Sequence, residues 1–300
     1  MMQEIPAPTQ PLAEALPKFG ANAWRWLHCP PPQAPRALGP LLVGWARHQD
    51  EVEQAQRLRH AVFGEELGAR LRPGAPGLDA DRFDAYCDHL LVRDARTLAV
   101  VGTYRVLPPH QARRAGGLYA ETEFDLARLH HLRPRLLELG RACVHRDYRS
   151  GSVVMSLWSG LGAYLRRHRL DTMLGCTSVS IADGGHYAAS LCRLLGARHL
   201  APPALHVFAR LPLPVTELRQ SLAVQPPPLL KGYLRLGARI CGGPAWDPDF
   251  NVADFPTLLR LADLNTRYAR HFLGAGEDAA ALMSCARQED EGAKEDRHHA

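Results

Sequence analysis

Glu138 is flanked by leucines in the run Leu136-Leu-Glu-Leu139. In an extended strand successive side chains face opposite sides, so Leu137 and Leu139 share one face and Glu138 looks out from the other. A carboxylate beside apolar walls has its pKa raised, which suits it to taking a proton near neutral pH, directly or through a water. Arg141 completes a Glu-x-x-Arg run, and Arg105 lies in a second strand-like segment. Either guanidinium can grip a carboxylate with two parallel hydrogen bonds. The acids Asp81, Asp84, Glu121 and Glu123 are candidates to hold a cationic group. Arg149-Ser150-Gly151-Ser152 is a basic, glycine-bearing turn into a helix, where exposed backbone amides can hold phosphate or pantetheine oxygens. Plainer readings stand beside each: a strand glutamate in a structural ion pair, solvent-facing arginines, solvated loop acids, and an ordinary helix start.

Other groups carry less. Cys143 invites a covalent acyl-enzyme, but a strand cysteine is most often a small buried hydrophobe. His145 is a base, a phosphate contact or a turn residue. Cys87 and His89 are too few for a metal site, so no metal is expected. The pairs His130-His131 and His298-His299 are isolated and read as solvated.

These residues need elements to position them. Gln49–Leu67 has helical apolar spacing. His89–Asp94 and Leu98–Leu107 read as two strands joined by the turn Asp94-Ala-Arg-Thr97. Leu136–Val144 is a third strand, followed by a helix to about His168 with Ser150 or Ser152 at its N-cap. Asp171–Val179 is a fourth strand. Gly185–Leu195 is a helix closed by Gly196, and His206–Leu211 a last strand. The fold class is therefore α/β, a mixed central sheet flanked by helices. The expected divisions are a loosely ordered Pro/Ala-rich leader at 1–45 with a short helix at 21–27, a core at 46–221, a helical extension at 222–273 and a polar tail at 274–300. In the extension, Leu229–Ile240 is amphipathic with Lys231, Arg235 and Arg239. It either lies at a membrane surface or packs on the core.

The 300 residues are 46% hydrophobic and 22% charged, enough for a sizeable core. The formal net charge of +5 fits an acidic partner. No helix-turn-helix, zinc-finger spacing or Lys-rich arm points to nucleic acid. Arginine heavily outnumbers lysine, a bias that a GC-rich genome also produces. The seven cysteines never form CxxC, which argues for reduced thiols in a cytoplasm. The N-terminus lacks the basic and apolar runs of a secretory signal, and Val153–Leu165 is too short to span a bilayer.

Helix, hairpin, strand, glycine-bearing turn, helix, strand, helix, strand is the GNAT acyltransferase order. Several stretches resemble the bacterial L-ornithine N-alpha-acyltransferases, GNAT-type and haemolysin-like. They are Arg57-Leu-Arg-His-Ala-Val-Phe63, Asp84-Ala-Tyr-Cys-Asp-His-Leu-Leu-Val92, Val101-Gly-Thr-Tyr-Arg-Val-Leu107, Tyr119-Ala-Glu-Thr-Glu-Phe-Asp125, Glu138-Leu-Gly-Arg-Ala-Cys-Val-His145, Pro228–Gly237 and Trp246–Asn251. The resemblance spans roughly 50–272, and Arg146 stands where the family carries proline. It implies transfer of a (3-hydroxy)acyl group from acyl carrier protein to the alpha-amine of L-ornithine, with no cofactor beyond that co-substrate. Glu138 would be the base, with Arg105 and Arg141 on the amino-acid carboxylate. Asp81, Asp84, Glu121 and Glu123 would face the distal ammonium. Val144, His145, Arg149, Ser150, Gly151 and Ser152 would meet the pantetheine. Direct transfer in this fold needs no acyl-enzyme at Cys143. The same core resembles the acyl-homoserine-lactone synthases, with which it shares Arg59, Phe63, Asp81, Asp84, Arg105, Glu138 and Arg141 and which act on S-adenosylmethionine. A catalytically idle GNAT domain that binds a membrane or partner is the reading from another class. The expected location is cytoplasmic, extending to the inner face of the membrane.

Overall fold

The computed structural model describes residues 35–71 and 74–265. The expected helix at 21–27, Cys29, the tail 274–300 and the pair His298-His299 lie outside the described residues.

Two short strands, β1 (Arg36–Leu38) and β2 (Leu41–Trp45), open the described chain as a hairpin turned at Gly39, whose φ is +63°. Residues 36–45 thus belong to the sheet, whereas composition alone assigned them to the leader. Their Leu41 and Val43 bury against the core, which Pro/Ala counting does not register. Helix α1 (Gln49–Arg59) carries Asp50 and Glu51 in its first turn and Arg57 and Arg59 in its last, complementing its dipole. It continues as a wider π-helical segment over His60–Glu66.

The hairpin of β3 (Asp88–Asp94) and β4 (Val100–Leu107) forms as read. Asp94 fixes its turn by accepting from the Arg96 and Thr97 amides, 2.9 Å each. Helix α2 (Pro109–Arg114) and the two-residue β5 (Phe124–Asp125) follow, then β6 (Leu136–Val144). Helix α3 (Ser152–His168) buries Val153, Leu157, Leu161 and Leu165 at four-residue spacing. Its N-cap is Gly151 at φ +101°, not a serine: the turn needs a left-handed residue, which only glycine adopts freely. After β7 (Thr172–Ser180), helix α4 (His186–Arg198) runs straight through Gly196. The strand expected at His206–Leu211 shrinks to β8 (Phe208–Ala209), which pairs only with β5.

The largest departure is at 222–273. The described residues of this region, up to 265, hold one nine-residue α-helix, α5 (Pro228–Leu236), and then strands β9 (Arg239–Ile240), β10 (Ala245–Asp247) and β11 (Val252–Arg260). β11 pairs with β7 along nine residues, from Val252↔Ser180 to Arg260↔Thr172. The extension is part of the sheet. Pro-rich punctuation hid this, and Pro256 sits within the strand itself. Helix α5 buries Leu230, Tyr233 and Leu236 against the core, so its apolar face is already covered.

Among the described residues the main sheet runs β1-β2-β3-β4-β6-β7-β11-β10, with β6 and β7 its parallel pair. Strand alternation puts Leu137, Leu139, Met173 and Leu259 on the face packed with residues of α3 and α5. Leu174 and Leu258 fall on the other face, with Phe83, Cys87 and Leu129. Gly102 lets α3 settle onto β4: a Cβ there would lie 2.3 Å from Val153 Cγ1. Gly102→Ala is therefore expected to cost about 1–3 kcal/mol in urea unfolding, as an overpacked core does. An unchanged midpoint would mean that α3 shifts freely.

Candidate active site

Strands β6 and β7 pair only from Leu136↔Thr172 to Leu139↔Gly175. Beyond Leu139, β6 bulges against β4, and Arg141 takes a left-handed φ of +53°. β7 stays with β11, so the two parallel strands part. The gap is a cavity of about 420 Å³ that reaches both faces of the sheet. One arm is apolar, lined by Leu139, Met173, Leu229, Leu230, Tyr233 and Leu259. The other arm is polar, with Tyr119, Glu123, Glu138, Arg141, Asp247 and Asp254. A vestibule of about 250 Å³ shares Tyr119, Glu123, Arg141, Asp247 and Phe250 with it.

Glu138 lies where the strands begin to part, and only 4% of it is exposed. Its oxygens accept from the Ala120 and Tyr119 amides at 2.7 Å each, in place of an ion pair with Arg105 or Arg141. Burial pushes its pKa up to about 7, against the pull of those two amides. Its protonation therefore changes across neutral pH.

Arg59, Arg105 and Arg141 alternate with three aspartates beneath the polar arm. Arg59 is fully buried, with Nε 2.9 Å from Asp79 and Nη2 2.8 Å from Asp84. Arg105 Nη1 lies 2.7 Å from Asp81 and 3.2 Å from Asp84. Arg141 lies 3.5 Å from Asp79 and 3.4 Å from Asp81. Burial alone would raise the Asp84 pKa, but Arg59 and Arg105 outweigh it and hold the carboxyl well below its ordinary range. His89, 3.6 Å from Asp84, is pushed down to about 4 by burial and is neutral. Asp81, Asp84 and Arg105 are thus bound to one another, with Arg105 also lining the cavity and Asp81 the vestibule. Arg105 and Arg141 both line the cavity and lie over the Tyr119 ring, 5.8 and 5.2 Å from its centroid, and Arg141 also lies 4.6 Å from that of Phe250. Phe63 packs edge-on against Phe250 and lines the cavity.

Of the expected acids, Glu121 pairs with Arg133 and accepts from Leu118 N, away from the cavity lining. Glu123 does enter. Its carboxylate lies with Asp247 and Asp254, all three offering oxygens within 4.8 Å of one another. Burial, then the neighbouring Asp254, pushes Glu123 up to about 8. Burial likewise takes Asp254 to about 6, although Ser178 Oγ donates to it at 2.6 Å. Asp247 falls within a stretch quoted for the family resemblance, and Asp254 lies in a region read as helical. Only the register Asp254↔Ser178 brings Asp254 into the cavity.

At the basic turn, Arg149 forms a fork with Glu66 at 2.6 and 2.9 Å and donates Nε to the Val144 carbonyl at 3.1 Å. The α3 amides start after Gly151 with no side-chain cap, leaving a helix N-terminus open to an anion. Ser150 and Ser152 hydroxyls lie 3.3 Å apart beside it. His145 accepts from Asp147 N, the behaviour of a turn residue. Cys143 is buried, its thiol contacts the Leu58 carbonyl, and burial pushes its pKa up to about 12, so it is no nucleophile.

Removing Asp84 would leave the buried Arg59 with Asp79 and the buried Arg105 with Asp81, each short of its second carboxylate. Asp84→Ala is expected to cost about 3–5 kcal/mol in urea unfolding at pH 7. Breaking the exposed Glu53–Arg57 pair by Glu53→Gln should cost under about 0.5 kcal/mol. Because the Asp84 pKa is lowered on folding from 3.8, its contribution is present above that pH and is lost only as pH falls through the depressed value. Equal costs for the two variants would show that the buried lattice is not what holds this face.

Residues 58–159 match the family described as Acetyltransferase (GNAT) domain. The L-ornithine N(alpha)-acyltransferase of Brucella abortus is 39% identical over 251 residues, covering 78% of this chain and 89% of that protein. The L-ornithine N(alpha)-acyltransferase of Agrobacterium fabrum is 36% identical over 257 residues, 80% of this chain and 87% of that one. Among solved structures, the AHL synthase LasI superposes with a TM-score of 0.44 at 14% identity, over 78% of this chain and 94% of that one.

Proposed function

Because the chain belongs to the L-ornithine N(alpha)-acyltransferases, we propose that its two-armed cavity is where an acyl thioester meets the alpha-amine of L-ornithine. The observation that carries this reading is the placement of Glu138. A buried carboxyl with a pKa near 7 lies where the apolar and acidic arms join.

The acyl chain occupies the apolar arm. The pantetheine runs along the edge of β6 that β7 has left, toward the uncapped start of α3. Arg141, braced by the Tyr119 and Phe250 rings, takes the ornithine carboxylate. Glu123, Asp247 and Asp254 surround the distal ammonium in place of Asp81 and Asp84. This leaves the alpha-amine toward Glu138. Its nitrogen attacks the thioester carbonyl carbon, the C–N bond forms and the C–S bond breaks. The proton lost by nitrogen passes to Glu138, directly or through a water, and is returned to the leaving thiolate.

The donor is an acyl carrier protein thioester, its acidic carrier complementing the net charge of +5. Arg146 and Arg149 flank the pantetheine turn. The basic residues Arg166–Arg169 do not, since they end α3, roughly 24 Å away at 1.5 Å per residue.

Glu138→Gln is expected to lower kcat by roughly two to four powers of ten with the fold intact. The wild-type kcat/KM should rise with pH through an apparent pKa of about 7, the direction for a base that works deprotonated. A folded variant within a few-fold of wild type would remove Glu138 from the mechanism.

A second expectation concerns the acceptor. An ammonium among the three acids favours their charged forms, so ornithine binding should release protons near pH 7. Calorimetry in buffers of different ionisation enthalpy reads that release. Norleucine, lacking the distal amine, should release none and be a poor acceptor. Glu123→Gln or Asp254→Asn should raise the ornithine KM about 30-fold or more, the loss of a buried charge partner, with the donor KM little changed. An unchanged ornithine KM in both variants would place the ammonium elsewhere.

A further inference from the structure

The vestibule opens onto an unusual piece of surface. Phe208 is 57% exposed, Leu211 48% and Trp246 40%, among the few large apolar side chains that the described residues leave in water. Leu211 and Trp246 are neighbours, and Phe208 lies on the same short segment as Leu211. Trp246 N donates to the Leu211 carbonyl at 2.8 Å, and Phe208 lies three residues before Leu211. Leu211 and Trp246 form the vestibule wall, with Arg70 and Arg210 beside them. Arg128 lies over the exposed Phe208 ring, 5.1 Å from its centroid. The backbone beneath is fixed. Arg210 N donates to Glu123 O, Pro212 bridges to Ala245, and β8 pairs with β5.

We propose that this rim seats on an anionic lipid surface, with Phe208, Leu211 and Trp246 entering the headgroup layer and Arg128 and Arg210 meeting lipid phosphates. Two observations favour lipid as the occupant. Tryptophan and phenylalanine beside arginine match the apolar and anionic layers that a bilayer surface presents side by side. The rim also surrounds the opening of a cavity whose other arm is apolar, so an acylated amino acid leaving it would pass from protein to lipid without exposing its chain to water. That reason rests on the acyl-transfer reading, but the test does not. No helix among the described residues is long and apolar enough to cross a membrane. Helix α5 does not compete for the role, because its apolar side packs on the core.

The test is co-sedimentation of the full chain with vesicles of phosphatidylcholine alone or with about a third phosphatidylglycerol. No ornithine or acyl donor is added. The wild type is expected to bind the mixed vesicles and to bind phosphatidylcholine weakly. The triple variant Phe208→Ser, Leu211→Ser, Trp246→Ser should lose binding at least about tenfold. Arg128→Gln and Arg210→Gln should each weaken it about fivefold, and added salt should mimic them. Unfolding midpoints equal to wild type would show that the variants remain folded. Tryptophan fluorescence should shift to the blue on the mixed vesicles, and Trp246→Phe should remove most of that shift. Wild-type protein that ignores both vesicle types overturns the proposal, as does a triple variant that binds undiminished. Variants that keep vesicle binding but lose affinity for acyl carrier protein would assign the rim to a protein partner and overturn it as well.

Discussion

Six charged side chains, three arginines and three aspartates, lie largely out of water beneath the polar arm, and the site depends on their mutual neutralisation. Each guanidinium alone would be expensive to bury. Together they fix the 79–84 segment against α1, β4 and β6, because Arg59 comes from the helix, Arg105 from one strand and Arg141 from the other. Arg141 is the member at which structure becomes chemistry. Its left-handed backbone belongs to the bulge that parts β6 from β7, and its guanidinium is aimed into the cavity so formed.

The cavity then sorts charge by face. Alternation along β6, β7 and β11 sends Leu139, Met173 and Leu259 to one side of the sheet. Glu138, Ser178 and Asp254 go to the other. Within a few residues the environment changes from one that dissolves a hydrocarbon chain to one where three carboxylates converge. Burial raises Glu123, Asp254 and Glu138 together, and a cationic ligand among them would push all three back toward their charged forms.

Much of this was legible in residue order. The β3–β4 hairpin, β6 and β7 announce themselves by apolar runs bounded by turn residues, and Glu138 by its place between leucines. The family stretches pointed to the arginine–aspartate set, but which of those charges faces substrate and which faces another side chain is a matter of distance. Sequence gave Asp84 and Glu123 the same role, and the fold separates them: one lies between two arginines, the other among acids. Asp254 was hidden for another reason. Its strand contains a proline and follows a proline-rich segment, both poor local strand signals, and its pairing with β7 is long-range. The early hairpin was missed likewise, because Leu41 and Val43 matter through what they touch.

The late arrival of β11 has a consequence for how the chain is made. β7 is complete at Ser180, yet the strand that closes its free edge begins at Val252. During synthesis at about 5–20 residues per second, some seconds separate the two, and through that interval a nine-residue edge of the nascent sheet is open to pairing with other chains. The acidic arm does not exist either until Asp247 and Asp254 emerge. The three carboxylates of the finished pocket can therefore meet only after every member of the arginine–aspartate lattice has been synthesised.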